Sequence, residues 1–214
     1  MKLENYFWFF KGGVSSKVCD DIIKTGLSHK PRRGTTGMEA RKLTFKKKLS
    51  NKDIKELKHI RNSKVVFLNQ AWVYNIIHTF VQKANVNAGW NFQLDFTEYV
   101  QFTLYSKKNH YTWHNDSHQT PYAHNHKFEN YRNKIRKLSC IIQLSDPSKF
   151  TGGELEFDFR DSNNGKPVIA TCPDFNNVRG SVIIFPGFVY HRVKPIKKGT
   201  RYSLVSWSLG NPYV

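Results

Sequence analysis

Arg201-Tyr202-Ser203-Leu204-Val205-Ser206-Trp207 is the stretch on which the reading of this chain turns. Side chains alternate across a strand, so Arg201, Ser203, Val205 and Trp207 share one face. That face is expected to line the interior of a barrel of strands. Upstream, the apolar run Val182 to Pro186 reads as a buried strand, and Phe188-Val189-Tyr190-His191-Arg192-Val193 follows it. Lys197-Lys198-Gly199 turns the chain back. If the two flanking strands pair as a hairpin, His191 and Arg201 stand on neighbouring strands.

The surrounding sequence has the same strand character from Trp90 onward. Strands are expected at Phe92–Asp95, Thr97–Tyr105, Tyr111–Asp116, Leu138–Leu144, Glu154–Phe159, Lys166–Val168, Ser181–Phe185, Gly187–Val193 and Arg201–Ser208. Pro147, Gly152-Gly153 and Asn163-Asn164-Gly165 punctuate them. The first part of the chain is different. Met1 to Phe10 reads as an opening strand: it contains an acidic residue and no small-residue cleavage site. Ser15-Ser16 caps an amphipathic helix through Cys19, Ile22 and Ile23. Residues 30–48 read as a basic loop with one short strand near Leu43–Phe45. Ser50 starts a short helix through Ile54, Leu57 and Ile60, and Val65–Leu68 fits a strand or a pre-helical turn. Trp72, Val73, Ile76, Ile77, Phe80, Val81 and Ala84 recur at helical spacing. Helices first and many short strands afterwards imply an α+β fold, a double-stranded β-helix (jelly roll) with the N-terminal helices packed on one sheet. Residues 1–89 form the support region and 90–214 the core, in one continuous globular domain. The polar stretch Ser117–Lys137 is long enough to be a functional flap.

Composition narrows the class. A chain of 214 residues, 39% hydrophobic and 14% aromatic, can bury a real core. No run approaches the roughly 18 apolar residues of a membrane span, and no membrane partner is expected. Cys19, Cys140 and Cys172 are odd in number and lack metal-type spacing, which points to buried thiols in a reducing, cytoplasmic setting. The net charge of +18 would attract polyanions. Its basic residues are dispersed over Lys30 to Arg33, Arg41 to Lys48, Lys127 to Lys137 and Lys194 to Lys198. No cluster interleaves aromatics as a nucleic-acid platform would, so any nucleic-acid binding is expected to be nonspecific.

The chemistry sits in Tyr111-Thr112-Trp113-His114-Asn115-Asp116. Residues two apart on a strand point the same way, so His114 and Asp116 can grip one ion, with His191 as a third ligand. Two imidazoles and one carboxylate with coordination positions left open form the facial triad of non-haem Fe(II) oxygenases. Arg201 offers a permanently charged fork for the carboxylate of an acid co-substrate. His110 and His118 flank the motif and are read as neighbours only.

Taken in order, Arg136 to Pro147, Thr151-Gly152-Gly153-Glu154-Leu155, Phe185-Pro186 to His191-Arg192-Val193, and Gly199-Thr200-Arg201 resemble the prolyl-4-hydroxylase-type branch of Fe(II)/2-oxoglutarate dioxygenases. In particular they are similar to bacterial and phage PKHD-type hydroxylases. The resemblance covers roughly residues 90–210. It implies Fe(2+) on His114, Asp116 and His191, and 2-oxoglutarate on Arg201 and Tyr105, with Ser203 and Gln143 beside them. Trp207 and Leu144 would line the site. Some prolyl hydroxylases place a second tyrosine where this chain has Gln143. O2 and ascorbate complete the implied ligands, and the Gly-Gly pair is expected to be positional.

Three functions follow. The first is hydroxylation of a peptide or protein, at proline, with release of succinate and CO2. The second is oxidation of nucleic acid, as a demethylase or base hydroxylase, suggested by the charge. The demethylase branch typically carries a further arginine about six residues after the co-substrate arginine, where this chain has Trp207. The third is a binding module that merely retains a metal, which has no need of open coordination positions.

Overall fold

Alternation along the strands builds two cores back to back. The computed structural model describes all residues except 1–3, 38–41, 43–47, 118–119, 161–163 and 214. The expected strand at Leu43–Phe45, and His118 and Asn163, therefore lie outside the described residues. The larger sheet runs in the order β1 (Trp8–Phe10), β12 (Val182–Pro186), β8 (Ile135–Gln143), β15 (Arg201–Gly210), β6 (Val100–Tyr105), β4 (Lys64–Leu68) and β2 (Arg32–Arg33), with β5 (Phe96–Thr97) also paired to β15. A five-stranded sheet faces it: β11 (Ile169–Thr171), β10 (Leu155–Asp158), β13 (Tyr190–Val193), β7 (His110–His114) and β3 (Arg61–Asn62). These strands pair antiparallel throughout. The N-terminal region contributes strands to both sheets, so the sheets run across the expected boundary at residue 89.

On β8, Leu138, Cys140 and Ile142 point outward into a core shared with the helices, while Ile141 points inward. The outer core receives Cys19 and Ile22 from α1 (Ser16–Leu27) and Val73, Ile77, Val81 and Ala84 from α3 (Ala71–Asn87). The helices thus cover one sheet, as the periodicity requires. Ser15 caps α1 by accepting from the Val18 N–H, and Ser50 and Asp53 form a reciprocal capping box on α2 (Asn51–Ile60). Burial holds the Cys140 thiol at about 12, an inert core group.

The inner core stacks Phe7 and Phe159 about Phe157, with Phe185 edge-on to it at 5.1 Å between centroids. Phe157 is fully buried. Phe157→Ala should cost about 3–5 kcal/mol, seen as a lower midpoint in urea unfolding.

Three expectations are corrected. Phe92–Asp95 forms no strand, because the Asn85 side chain bonds both the N–H and the carbonyl of Phe92 and takes the place of a neighbouring strand. The strand expected at Lys166–Val168 lies instead at Ile169–Thr171, in register with Asp158 to Glu156. The third concerns His191 and Arg201, which are not neighbours in a hairpin. Between them β14 (Ile196–Gly199) leaves to pair with β9 (Phe150–Gly152), and Gly199, at φ +75°, passes the chain into the opposite sheet. The histidine and the arginine therefore come from facing sheets.

Candidate metal centre and its cavity

His114 and His191 are direct cross-strand partners on β7 and β13, with ring centroids 4.2 Å apart. Each ring is fixed from behind. His114 Nδ1 lies 2.7 Å from the Thr112 carbonyl and His191 Nδ1 3.0 Å from that of Val189. Those carbonyls can only accept, so each Nδ1 carries a hydrogen, and in the neutral imidazole Nε2 is then the atom with the free lone pair. Asp116 lies just past the end of β7, where its N–H and that of Ser117 both donate to the Gly187 carbonyl. Its Oδ1 is 3.9 Å from His114 Nε2 and its Oδ2 3.6 Å from His191 Nε2. Ser139 Oγ donates to Oδ2 at 2.7 Å. One donor atom from each of the three lies within 4.8 Å of the others, a set able to hold one divalent ion.

Protonation states suit that task. Burial, then the nearby His191, push the His114 imidazole down to about 3, so it is neutral at physiological pH. Burial alone would raise Asp116, but His191, His114, Arg136 and the Ser139 hydroxyl hold it at about 2. Neutral imidazoles and an ionised carboxylate are the forms that ligate. Phe185 packs edge-on against His191 at 4.7 Å and Tyr111 stacks on His114 at 3.5 Å between centroids. Ser139→Ala should weaken metal affinity by about 10–100-fold, the usual effect of losing an outer partner, measured by competition with a chelator.

The triad opens into a cavity of about 260 Å³ that also contains Tyr105, Ile141, Arg201, Ser203, Val205 and Trp207. The expected inward face of β15 is thus found as read. Arg201 is 1% exposed, and burial brings its pKa down to about 10, so it stays charged. Among the described residues its one side-chain hydrogen bond is from Nε to Gln143 Oε1, at 3.2 Å. Tyr105 is its cross-strand partner on β6. Gln143 Nε2 and Trp207 Nε1 are buried donors with no acceptor among the described residues. A buried cation and the unsatisfied Trp207 donor in one chamber, with Gln143 behind the cation, fit an anionic, oxygen-rich ligand such as 2-oxoglutarate.

The structure brings His114, Asp116, His191, Arg201, Tyr105, Ser203 and Trp207 to the cavity, with Gln143 against Arg201. Leu144 is not brought there. It follows Gln143 directly, faces the opposite way, and is buried in the outer core with the helices. Ile141, two residues before Gln143, lines the cavity in its place. Gly152 and Gly153 stand at φ +80° and +70°, and a Cβ on Gly153 would lie 2.4 Å from Ile196 Cδ1 and 3.4 Å from Arg201 Cδ. Their role is to let the chain pass beside Arg201.

Sequence reading missed two further groups. Arg136 bonds both oxygens of Glu98, at 2.8 and 2.6 Å, and stacks on Trp207 at 4.0 Å. Tyr122, from the expected flap, donates to Glu98 at 3.0 Å. Lys134 pairs with Asp95 and Arg132 with Glu129, so much of the flap's positive charge is engaged within the molecule. Arg61, on β3, lines the cavity from the other side. The only local signal for it is a basic residue at the end of a helix.

Comparisons agree with this geometry. Residues 100–209 match the model of the 2OG-Fe(II) oxygenase superfamily. A PKHD-type hydroxylase of Synechococcus sp. is 31% identical over 70 residues, 33% of this chain and 27% of the relative. One of Xylella fastidiosa is 30% identical over 112 residues, 50% of this chain and 42% of the relative. The matches thus span well under half the length of these curated relatives. Among solved structures, a prolyl hydroxylase from Trichoplax adhaerens, in complex with a hypoxia inducible factor oxygen degradation domain peptide fragment, superposes with a TM-score of 0.64. It is 16% identical, and the match covers 96% of this chain and 84% of that one.

Proposed function

Since the chain belongs to the 2OG-Fe(II) oxygenase superfamily, we propose that it is an Fe(II)- and 2-oxoglutarate-dependent dioxygenase. Its substrate in this reading is a peptide or protein hydroxylated at proline, with release of succinate and CO2. The observation that carries the oxygenase reading is Arg201: a buried guanidinium with no carboxylate in salt-bridge contact among the described residues, in the same cavity as two histidines and an aspartate. The choice of peptide rests on similarity to PKHD-type hydroxylases and on a neighbour solved with a peptide.

Bound iron would supply the oxidising chemistry that couples decarboxylation of the co-substrate to oxygen insertion into a C–H bond. The protein's own work is placement. His114, Asp116 and His191 would hold the ion, each offering one ligand atom. Arg201, oriented by Gln143, receives the distal carboxylate, and Tyr105 and Ser203 contact the co-substrate beside it. Trp207, braced by Arg136, walls the chamber and limits water. Ascorbate enters this reading as the reductant that keeps iron ferrous, tested by omitting it. No helix among the described residues is long and apolar enough to cross a membrane; a cytoplasmic location is part of the proposal.

The flap, 117–137, is proposed to close over peptide from its anchor at Glu98. Hydrogen exchange across 120–134 should slow when peptide binds; equal protection with and without peptide would remove that role. The substrate itself is tested by 2-oxoglutarate turnover stimulated by proline-containing peptides or by methylated oligonucleotides, with mass spectrometry for one added oxygen. Peptide stimulation is expected. Stimulation by the oligonucleotides alone would replace the peptide with nucleic acid.

A further inference from the structure

Arg61 is a second buried arginine in the cavity, 6% exposed. Its Nε donates to Ser63 Oγ at 2.9 Å and one terminal nitrogen to the Thr35 carbonyl at 2.9 Å. The guanidinium lies over the outer face of Tyr111, 4.7 Å from the ring centroid, and that ring stacks on His114. Gly34 makes room for it: a Cβ there would stand 2.7 Å from Arg61 Nε and 2.5 Å from Ser63 Oγ. The chain thus places a cation one ring away from a metal ligand, and among the described residues neutral groups alone hold it.

Every other charge in the chamber has an answer. Arg136 is matched by Glu98. Asp116 and Arg201 would be matched by a dication and a dianionic co-substrate, whose own charges then cancel. Arg61 is left over among the described residues, and a buried charge without a counter-charge is costly. We infer that Arg61 reads an acidic side chain of the peptide, close in sequence to the residue that is hydroxylated. This rests on the peptide reading above. A single carboxylate suits it better than a polyanion, because two of its nitrogens are already committed and it sits inside a small cavity rather than on an exposed basic stripe.

The test is calorimetry under nitrogen on the protein loaded with Fe(II) and 2-oxoglutarate. The probes are paired proline peptides that differ only in Asp or Asn, Glu or Gln, beside the proline. The wild-type protein should bind the acidic member at least about tenfold more tightly, equivalent to ~1.4 kcal/mol. Arg61→Gln should bring the ratio near one, and Arg61→Lys should keep part of it. Circular dichroism checks that the variants fold, and if Arg61→Gln does not, the wild-type ratio and Arg61→Lys still decide. No acidic preference in the wild-type protein, or a preference that survives Arg61→Gln, would overturn the assignment. So would a loss of 2-oxoglutarate affinity in Arg61→Gln with the peptide ratio intact. If no peptide binds but a single-stranded oligonucleotide does so through Arg61, the anion-reading role stands and the peptide reading falls.

Discussion

Arg201→Met is expected to act in opposite directions on binding and on stability. Removing one partner of a buried charge pair costs about 2–5 kcal/mol, so the Kd for 2-oxoglutarate should rise by roughly thirty-fold to several thousand-fold. Arg201→Lys keeps the charge but loses the planar fork, and should fall between, near tenfold. In the ligand-free protein the same guanidinium is a desolvated charge whose bonded partner is a neutral amide. Replacing it with an apolar side chain of similar length should leave the midpoint of unfolding unchanged or raise it. A residue that only braced the barrel would lose stability and leave the co-substrate affinity alone. Isothermal titration beside urea unfolding separates the two cases.

Asp116→Ala should have a still larger effect on the metal. The carboxylate is the one anion in the ligand set, and burial holds the His114 imidazole neutral. Losing an outer-shell partner of a ligand costs about 10–100-fold, so losing the ligand itself should exceed about 100-fold in Fe(II) affinity and abolish 2-oxoglutarate turnover. Folding should survive, because the N–H groups of residues 116 and 117 still bond Gly187. Equilibrium dialysis with Fe(II) under nitrogen, together with circular dichroism, reads both. Retained affinity with lost fold would make Asp116 structural instead.

Strand alternation was the feature most legible locally. The alternation on Arg201 to Trp207 put four side chains on one face, and all four line the cavity. His114 and Asp116 needed only the two-residue repeat of a strand, although Asp116 sits just beyond its end. The failures concern partners distant in sequence. Nothing in Val193 to Arg201 announces that β14 will pair with β9 and carry the chain to the facing sheet. Phe92–Asp95 has strand-like composition, yet a single asparagine on a helix takes both backbone bonds of Phe92. The buried match between Glu98 and Arg136 spans 38 positions, and no local pattern announces it. Leu144 is a different kind of miss, because neighbours on a strand face opposite ways and Gln143 already pointed inward.

The central claim is that the triad and Arg201 form one site for iron and 2-oxoglutarate. Anaerobic addition of 2-oxoglutarate to the Fe(II)-loaded protein, followed by visible absorption, tests it most directly, since chelation of ferrous iron by a 2-oxoacid produces a charge-transfer band. The account predicts a saturable band in the wild-type protein, a band that needs far more 2-oxoglutarate in Arg201→Met, and none in Asp116→Ala. No band in the wild-type protein, or an equal band in all three, would contradict it.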